Sequence, residues 1–443
     1  MSIYKDCDIR GVYPSELTEN EAYKIGRALA TLHPGEWLVG GDVRLSTPAL
    51  KSALMNGLRA SGANVTDLGR IPTPALYFAL KHSSAQSGAT VTASHNPPDH
   101  NGVKFMCGDL PVTRAEIDRV RACVQSGEFA EGAGSIRTRD VLTEYVDFMS
   151  ARFPAKRPLK VLIDAGNGAM SLAAPEVFRR AGYEVTELDC VPDGRFPSRS
   201  PNPSDFANLR GTARAVRAAD VDFGVAFDGD GDRAVFLDAQ GTPVQIEKIL
   251  VLFIREALKN APSSVVFDQK SSSVVRKAIL EMGGTPLPER SGHAFIKRRF
   301  LENNSALAGE VSGHYFFREP GYDDGLFAAL FLADILARSG KTLAELADEI
   351  VCPPVTPDLR IPCPYAEQDA CLARTEAAAI ERGAVISRLD GVRADFPDGW
   401  FLLRKSVTSE QLTLRVEAEN EARLRELVAF ARDLLPEKSR EFL

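Results

Sequence analysis

A serine, a histidine and a lysine lie close together in one loop of the chain and could transfer a chemical group. Ser94 and His95 follow a run of small residues, and Lys104 comes ten positions after the serine. Pro97 and Pro98 between them exclude a helix, because proline lacks the amide hydrogen that a helix needs. Such a loop can present a nucleophilic hydroxyl to a substrate. An ordinary polar turn is the alternative, because these residue types are common in turns.

Three aspartates alternate with glycines directly after a run of apolar residues. Asp228, Asp230 and Asp232 are separated by single glycines, and Arg233 ends the motif. Carboxylates at this spacing can converge on one hard cation such as Mg²⁺, because glycine lets the backbone curl. A calcium-binding EF-hand is excluded, since its twelfth position requires a glutamate and Ala239 stands there. A phosphatase that attacks through Asp228 and a solvated acidic turn are the other interpretations.

Two further loops carry groups that suit a phosphorylated sugar. Glu310, Ser312 and His314 alternate along the chain, and a carboxylate, a hydroxyl and an imidazole in a row can bind adjacent sugar hydroxyls. The segment 404–408 offers a guanidinium and two hydroxyls, which suit a phosphate dianion. Each segment taken alone is also explained as a polar turn. Weaker basic candidates lie in glycine-bearing turns at Arg10, His293 and Lys297.

Composition and charge exclude several classes of protein. A net charge of -7 argues against broad electrostatic binding of nucleic acid or anionic membrane. No apolar run approaches the ~18 residues that a membrane span needs, and the polar start does not resemble a signal peptide. The seven cysteines are scattered without a CxxC pair, which is typical of a reducing compartment. We therefore expect a cytoplasmic protein.

The elements that must position these loops repeat three times. In each copy an apolar strand ends at an acidic residue, and a helix, a glycine and a second strand follow. The acidic residues are Asp42, Asp164 and Asp268, and the glycines are Gly62, Gly182 and Gly283. Each copy predicts the βαβ unit of a parallel sheet covered by helices. Because ligands of such sheets bind beyond the carboxyl ends of the strands, we expect the chemistry at that edge.

The pattern changes near the C-terminus. Five prolines between 353 and 364 should prevent regular structure there, and the helices and strands that follow predict a small antiparallel α+β domain. The predicted fold class is α/β, with three related mixed α/β domains and a C-terminal α+β domain around a central cleft. We predict domain ranges of 1–150, 151–245, 246–355 and 356–443.

Taken together, the loops resemble those of the α-D-phosphohexomutase superfamily, in the same order along the chain. The segment 92–97 resembles its phosphoserine loop, and 228–233 resembles its Mg²⁺ loop. The segment 309–314 resembles its sugar-binding loop, and 404–408 resembles its phosphate-binding loop. The resemblance covers nearly the whole chain. It implies an isomerase that moves a phosphoryl group between the 1- and 6-positions of a hexose.

The resemblance also implies a role for each residue. Ser94 would carry the phosphoryl group, with a hexose 1,6-bisphosphate as intermediate. Lys104 would be the general acid/base, with a pKa held near neutral by cationic neighbours. Mg²⁺ would bind the Ser94 phosphate, Asp228, Asp230 and Asp232. The other catalytic residues would be His95, Arg10, Arg233 and His314, and the substrate contacts would be Glu310, Ser312, Lys270, His293, Arg404, Ser406, Val407 and Thr408.

Three positions depart from the family pattern, and a fourth position bears on the choice of sugar. Cys7 stands where tyrosine is common, so one substrate contact should be absent. Val407 and Glu410 stand where a glycine or asparagine and a proline are common, so the phosphate grip should be looser. The apolar Val311 favours the phosphomannomutase/phosphoglucomutase type. A glucosamine-type enzyme is the alternative, as is a catalytically silent sugar-phosphate binder. The expected partner is a small phosphosugar, with no nucleic acid and no membrane, and with a monomer or dimer as the assembly.

Overall fold

The computed structural model describes residues 3–406 and 410–442. These residues form four sheets, one in each of four successive regions of the chain. No helix within these two ranges has the length and apolar character to cross a bilayer.

The first region is built on a six-stranded mixed sheet. Its strands are β1 (Ile9–Val12), β2 (Glu36–Gly41), β3 (Asn64–Arg70), β4 (Ser87–Val91), β5 (His100–Cys107) and β6 (Ile136–Thr138). Its helices are α1 (Glu19–Leu32), α2 (Thr47–Ala60), α3 (Thr73–Lys81), α4 (Arg114–Ser126) and α5 (Val141–Arg152). The strand order is β1-β5-β4-β2-β3-β6, with β2 parallel to β3 and β4, and β5 antiparallel to β4. Strands β2 and β4 therefore end at the same edge.

The second region has a four-stranded sheet in the order β10-β9-β7-β8. Its elements are β7 (Lys160–Asp164), α6 (Ala174–Arg180), β8 (Glu184–Leu188), α7 (Arg210–Ala219), β9 (Phe223–Phe227) and β10 (Ala234–Asp238). Strand β7 is parallel to β8 and β9, and β10 returns antiparallel to β9. All five residues of β9 are buried, so the acidic loop after it starts from the interior.

The third region has a five-stranded mixed sheet in the order β12-β11-β13-β14-β15. Its strands are β11 (Ser264–Asp268), β12 (Thr285–Glu289), β13 (Leu307–Gly309), β14 (Tyr315–Phe317) and β15 (Tyr322–Asp323). Its helices are α8 (Ile246–Leu258), α9 (Ser273–Glu281), α10 (His293–Glu302), α11 (Gly325–Ser339) and α12 (Leu343–Asp348). The sugar-binding loop predicted from the sequence joins β13 to β14.

The fourth region has an antiparallel sheet of five strands in the order β16-β20-β19-β18-β17. Its elements are β16 (Leu359–Pro362), α13 (Tyr365–Glu381), β17 (Val385–Ser387), β18 (Val392–Phe396), β19 (Gly399–Lys405), β20 (Gln411–Ala418) and α14 (Glu421–Asp433). One apolar core runs through the first three regions, and the first region has a second core of its own. The core of the fourth region includes no residue of the other three. The fourth region is therefore the separable part of the fold.

The predicted fold class is confirmed, including the three repeated units. The pairs β2/β3, β7/β8 and β11/β12 are each parallel, and each pair is joined by one α-helix. The glycine after each helix has a positive φ, namely 91° at Gly62, 97° at Gly182 and 70° at Gly283. Glycine stands there because other residues rarely adopt this conformation at a helix end.

One expectation about the proline-rich stretch is wrong. Strand β16 forms inside it and pairs with β20. An edge strand tolerates proline because only one of its sides needs amide donors, and Pro362 is its last residue. Strand β12 accommodates Pro286 and Pro288 at another edge in the same way.

Candidate active site

Loops from the first and second regions meet at the carboxyl ends of their strands. The Ser94 loop follows β4, and the loop with the three aspartates follows β9. The Ser94 hydroxyl donates a hydrogen bond of 2.7 Å to Asp228 Oδ2. The structure thus joins two motifs that lie 134 positions apart in the sequence.

Ser94 adopts a backbone conformation that is uncommon for a residue with a side chain. Its φ is 48°, in the left-handed region, and the residue is only 2% exposed. Its amide donates to Thr92 Oγ1 at 2.9 Å, and His95 Nδ1 lies 3.4 Å from its Oγ. Strained conformations of this kind concentrate at functional sites. This one turns the hydroxyl toward Asp228.

Asp228, Asp230 and Asp232 form a fully buried acidic cluster. One carboxylate oxygen from each lies within 4.8 Å of the others. Asp228 Oδ1 accepts from the Gly231 amide at 2.9 Å, and Asp230 Oδ2 accepts from the Thr73 hydroxyl at 2.6 Å. Asp230 Oδ1 is buried and has no hydrogen-bond partner among the described residues. A free oxygen beside two other carboxylates fits a divalent cation that prefers oxygen ligands.

The charges of this cluster act strongly on each other. Burial, followed by Asp232 and Asp230, raises the pKa of Asp228 well above its ordinary value. Burial would also raise the pKa of Asp232, but Lys104 and His314 outweigh it and hold that pKa well below its ordinary value. The cluster is therefore costly without positive charge close by.

Lys104 faces the acidic cluster, and the expected lowering of its pKa is wrong. Its Nζ is in very short contact with Asp232 Oδ2 and lies 3.7 Å from Asp230 Oδ2. Burial alone would lower the pKa of Lys104, but these carboxylates outweigh it and raise the pKa well above its ordinary value. The sequence could not give these neighbours, which lie more than a hundred positions away.

Two arginines and a histidine supply further polar groups around Ser94. Arg10 Nη1 donates to Asn96 Oδ1 at 3.0 Å, in the Ser94 loop itself. Arg233 Nε lies 3.8 Å from Asp228 Oδ2. Burial, together with these two arginines, lowers the pKa of His95 well below its ordinary value, so its imidazole is neutral at pH 7.

In the loop between β13 and β14, the predicted site residues converge on His314. His314 Nε2 lies 3.3 Å from Asp232 Oδ1, while its Nδ1 lies 2.9 Å from the Ser312 hydroxyl and 3.2 Å from Glu310 Oε2. Burial would lower the pKa of His314, but Asp232 and Glu310 raise it to about 9. His293 stacks on His314 with 5.7 Å between ring centroids, and neither of its ring nitrogens has a hydrogen-bond partner in the described ranges.

The remaining predicted residues lie around the fourth region. Lys270 Nζ donates to Asp358 Oδ2 at 2.9 Å. Arg404 Nε lies 3.4 Å from Asp390 Oδ1, and the Ser406 amide donates to the Gln411 carbonyl oxygen at 2.9 Å. Val407 and Thr408 lie outside the described residues. Lys270 and Arg404 therefore each lie beside an acidic residue of the fourth region.

Several residues that support the site were not predicted from the sequence. Thr73 contacts Asp230 from the start of α3, and its sequence surroundings carry no signal for this. Arg44 pairs with the buried Asp42 and binds the Ser94 loop. Arg199 pairs with the buried Asp164 and binds the carbonyl oxygen before the acidic loop. The two arginine positions could have been sought from the sequence, because the acidic residues Asp42 and Asp164 recur at the ends of the repeated strands and a buried carboxylate needs a partner.

Four family models match the chain in succession. They are described as phosphoglucomutase/phosphomannomutase, alpha/beta/alpha domain I at residues 1–131, domain II at 143–241, domain III at 246–352, and the C-terminal domain at 361–434. The four matches follow the four sheets in order.

Individual relatives agree with these models over almost the full length. A phosphomannomutase/phosphoglucomutase of Pseudomonas aeruginosa is 36% identical over 441 residues, which are 98% of this chain and 95% of that protein. A phosphoglucomutase of Neisseria gonorrhoeae is 38% identical over 431 residues, 95% of this chain and 94% of that protein. The crystal structure of a phosphoglucomutase/phosphomannomutase family protein from Burkholderia thailandensis matches with a TM-score of 0.92 and 34% identity, covering 99% of this chain and 97% of that one. The chain therefore belongs to the phosphoglucomutase/phosphomannomutase family.

Proposed function

We propose that this protein is a phosphohexomutase that interconverts hexose 1-phosphates and hexose 6-phosphates, with mannose and glucose as its sugars. Ser94 carries the phosphoryl group between turnovers, and a hexose 1,6-bisphosphate is the intermediate. The observation that carries this proposal is the 2.7 Å hydrogen bond from Ser94 Oγ to Asp228 Oδ2. It sets the nucleophile of one region against the acidic cluster of another. An aspartyl phosphatase would have no use for the strained Ser94.

The first transfer moves the phosphoryl group from Ser94 to a free hydroxyl of the sugar. The sugar oxygen forms a bond to phosphorus, and the bond from phosphorus to Ser94 Oγ breaks with its electron pair on Oγ. The neutral imidazole of His95 takes up the proton of the sugar hydroxyl, and the charged Lys104 returns a proton to Oγ. The second transfer reverses these events at the other end of the bisphosphate.

Positive charge around the transferring group lowers the barrier to this step. Arg10 and Arg233 lie beside the Ser94 loop and the acidic cluster, where fixed cations stabilise the charge of the transition state. Asp228, Asp230 and Asp232, with a phosphate oxygen on Ser94, would hold Mg²⁺. When bound, that ion offsets negative charge on the phosphoryl group.

The other predicted residues orient the sugar and its second phosphate. Glu310 and Ser312 bind two adjacent hydroxyls, and the charged His314 beside them can donate a proton to the sugar. His293, whose ring nitrogens are not engaged by the described residues, is available to the substrate. The residues assigned to the non-reacting phosphate are Arg404, Ser406, Val407 and Thr408, with Lys270 nearby.

Intact-mass spectrometry and coupled assays test this proposal. We expect a phosphate adduct on the purified protein that disappears in Ser94→Ala, together with the mutase activity. Activity that persists in Ser94→Ala but is lost in Asp228→Asn would instead identify the aspartyl phosphatase. Turnover of mannose 1-phosphate and glucose 1-phosphate supports the assigned sugars. Turnover of glucosamine 1-phosphate alone would identify the glucosamine-type enzyme, and no turnover of any of them would identify a silent binder.

A further inference from the structure

Arg44 is a fully buried arginine beside the active site to which the proposed reaction assigns no role. It lies between β2 and α2 and is 1% exposed. A guanidinium has five N–H donors in a fixed plane. Those of Arg44 reach Asp42 Oδ2 at 3.1 Å and the carbonyl oxygens of Ser94 at 2.8 Å, Asn96 at 2.6 Å, Pro97 at 2.5 Å and His100 at 3.0 Å. Four of these five hydrogen bonds hold one loop, residues 94–100.

Asp42 completes the network on the other side of Ser94. Its Oδ2 accepts a hydrogen bond of 2.7 Å from the Thr92 hydroxyl, whose oxygen accepts the Ser94 amide at 2.9 Å. The amide of Ser94 is thus tied to Asp42 through Thr92, and its carbonyl is tied to Asp42 through Arg44. Both peptide groups that define the φ and ψ of Ser94 are fixed by the same buried ion pair.

This network acts on a backbone conformation that would not persist by itself. A φ of 48° is unfavourable for a non-glycine residue and survives when the surroundings over-determine it. A Cβ at Gly229 would lie 2.4 Å from the Ser94 carbonyl oxygen, so the acidic loop also packs directly on this peptide. A small change in the Ser94 backbone therefore moves Oγ relative to Asp228.

The second region contains the same arrangement on the other half of the site. Arg199 Nε donates to Asp164 Oδ2 at 2.8 Å, and its Nη2 donates at 2.8 Å to the carbonyl oxygen of Phe227, the residue before Asp228. In both regions an acidic residue binds an arginine, and the arginine binds a loop. Asp164 is the last residue of β7, and Asp42 directly follows β2. Arg44 holds the Ser94 loop, and Arg199 holds the acidic loop.

We propose that Arg44 is a positioning residue for phosphoryl transfer, which keeps Ser94 in the left-handed conformation that directs Oγ at Asp228. This inference rests on the proposed role of Ser94 as phosphoryl carrier. Lysine keeps the positive charge but cannot replace the planar guanidinium. Its three donors share one nitrogen and cannot reach four carbonyl oxygens spread over seven residues. Arg44→Lys therefore removes most hydrogen bonds to the Ser94 loop while it keeps the positive charge.

The test measures a single turnover from the phosphorylated enzyme to glucose 1-phosphate. We expect Arg44→Lys to slow this transfer about a hundredfold, the effect of a misplacement near 1 Å, with little change in KM or in the Mg²⁺ concentration for half activity. Arg199→Lys is the matched comparison, and it should raise the Mg²⁺ requirement instead. Methylguanidinium added to Arg44→Ala should restore part of the transfer rate, which a general loss of stability would not allow.

Several outcomes would overturn the proposal. A transfer rate in Arg44→Lys near that of the wild type would do so. A loss of activity explained entirely by a higher KM or a higher Mg²⁺ requirement would do so as well. If Arg44→Lys does not fold, Thr92→Val decides, because it removes the acceptor of the Ser94 amide while Thr92→Ser keeps it. Equal transfer rates for these two variants would refute the positioning role. Failure of the proposed function is distinct, because the wild type itself would then transfer no phosphoryl group.

Discussion

Neutralising Glu247 should weaken the attachment of the fourth region to the third. Arg415 on β20 places Nη2 2.6 Å from Glu247 Oε1 on α8, and the two side chains are 11% and 9% exposed. Removing one partner of a buried ion pair costs roughly 3–5 kcal/mol, because the other charge remains without compensation. Since both groups keep some contact with water, we expect Glu247→Gln to lower the free energy of unfolding of the fourth region by about 3 kcal/mol.

Replacing both partners should cost much less than replacing one. With Arg415→Met added to Glu247→Gln, no unpaired charge remains, and we expect the loss to fall to about 1 kcal/mol. Lys259→Met, directly after the C-terminus of the same helix, is the matched control. It removes an exposed ion pair with Glu256 and should change the free energy by less than about 0.5 kcal/mol.

Tryptophan fluorescence during urea unfolding can follow this region alone. The chain has two tryptophans, Trp37 in β2 and Trp400 in β19, so Trp37→Phe leaves a probe in the fourth region. Trp400 Nε1 donates at 2.9 Å to Glu417 Oε1, which also accepts the Ser273 amide at the start of α9. Trp400 therefore reports on the interface itself. A Trp400 midpoint that is the same in Glu247→Gln and Lys259→Met, or a double variant no more stable than Glu247→Gln, would refute the reasoning.

Three further predictions concern the proposed proton donor Lys104, the acidic cluster and a buried carboxyl. Lys104→Met should lower kcat about a thousandfold while the protein still binds substrate in calorimetry, and near-normal kcat would remove Lys104 from the mechanism. Chelation with EDTA should abolish activity reversibly, and Asp230→Asn should raise the Mg²⁺ concentration that restores it; an unchanged Mg²⁺ titration would contradict the cation site. Burial raises the pKa of Asp324 from 3.8 to about 7, so its proton stabilises the folded state at low pH and that stabilisation is lost as pH rises through 7. The free energy of unfolding of the wild type relative to Asp324→Asn should therefore fall by at most about 4 kcal/mol between pH 4 and 7, and parallel pH profiles would show that Asp324 does not titrate there.

The repeated units could be predicted from the sequence because their signals are local. A strand that ends at Asp42 or Asp164, followed by a helix and a glycine, marks its own boundaries whatever the rest of the chain does. The edge strand β16 escaped prediction because proline excludes a central strand but not an edge one, and strand position within a sheet is not local information. Order along the chain was thus predictable, and position within a sheet was not.

In the candidate site, too, features within one loop could be predicted and contacts between loops could not. Residue types in the loops around Ser94 and Asp228 indicated a candidate nucleophile and a candidate cation site, and these assignments stay predictions. Their contacts depend on how separate regions pack, so the proximity of Lys104 to Asp232 and of Thr73 to Asp230 could not be predicted. The error in the pKa of Lys104 has this origin, since cationic neighbours were expected and carboxylates are present.

The left-handed backbone at Ser94 restricts which amino acid evolution can place there. Threonine offers the same hydroxyl and forms the same kind of phosphate ester, but its branched Cβ makes a φ near 48° costly. Glycine and asparagine accept this φ readily but have no hydroxyl to phosphorylate. Serine is therefore constrained twice, by its chemistry and by its small unbranched side chain. We therefore expect that threonine cannot replace Ser94 in its proposed role as phosphoryl carrier.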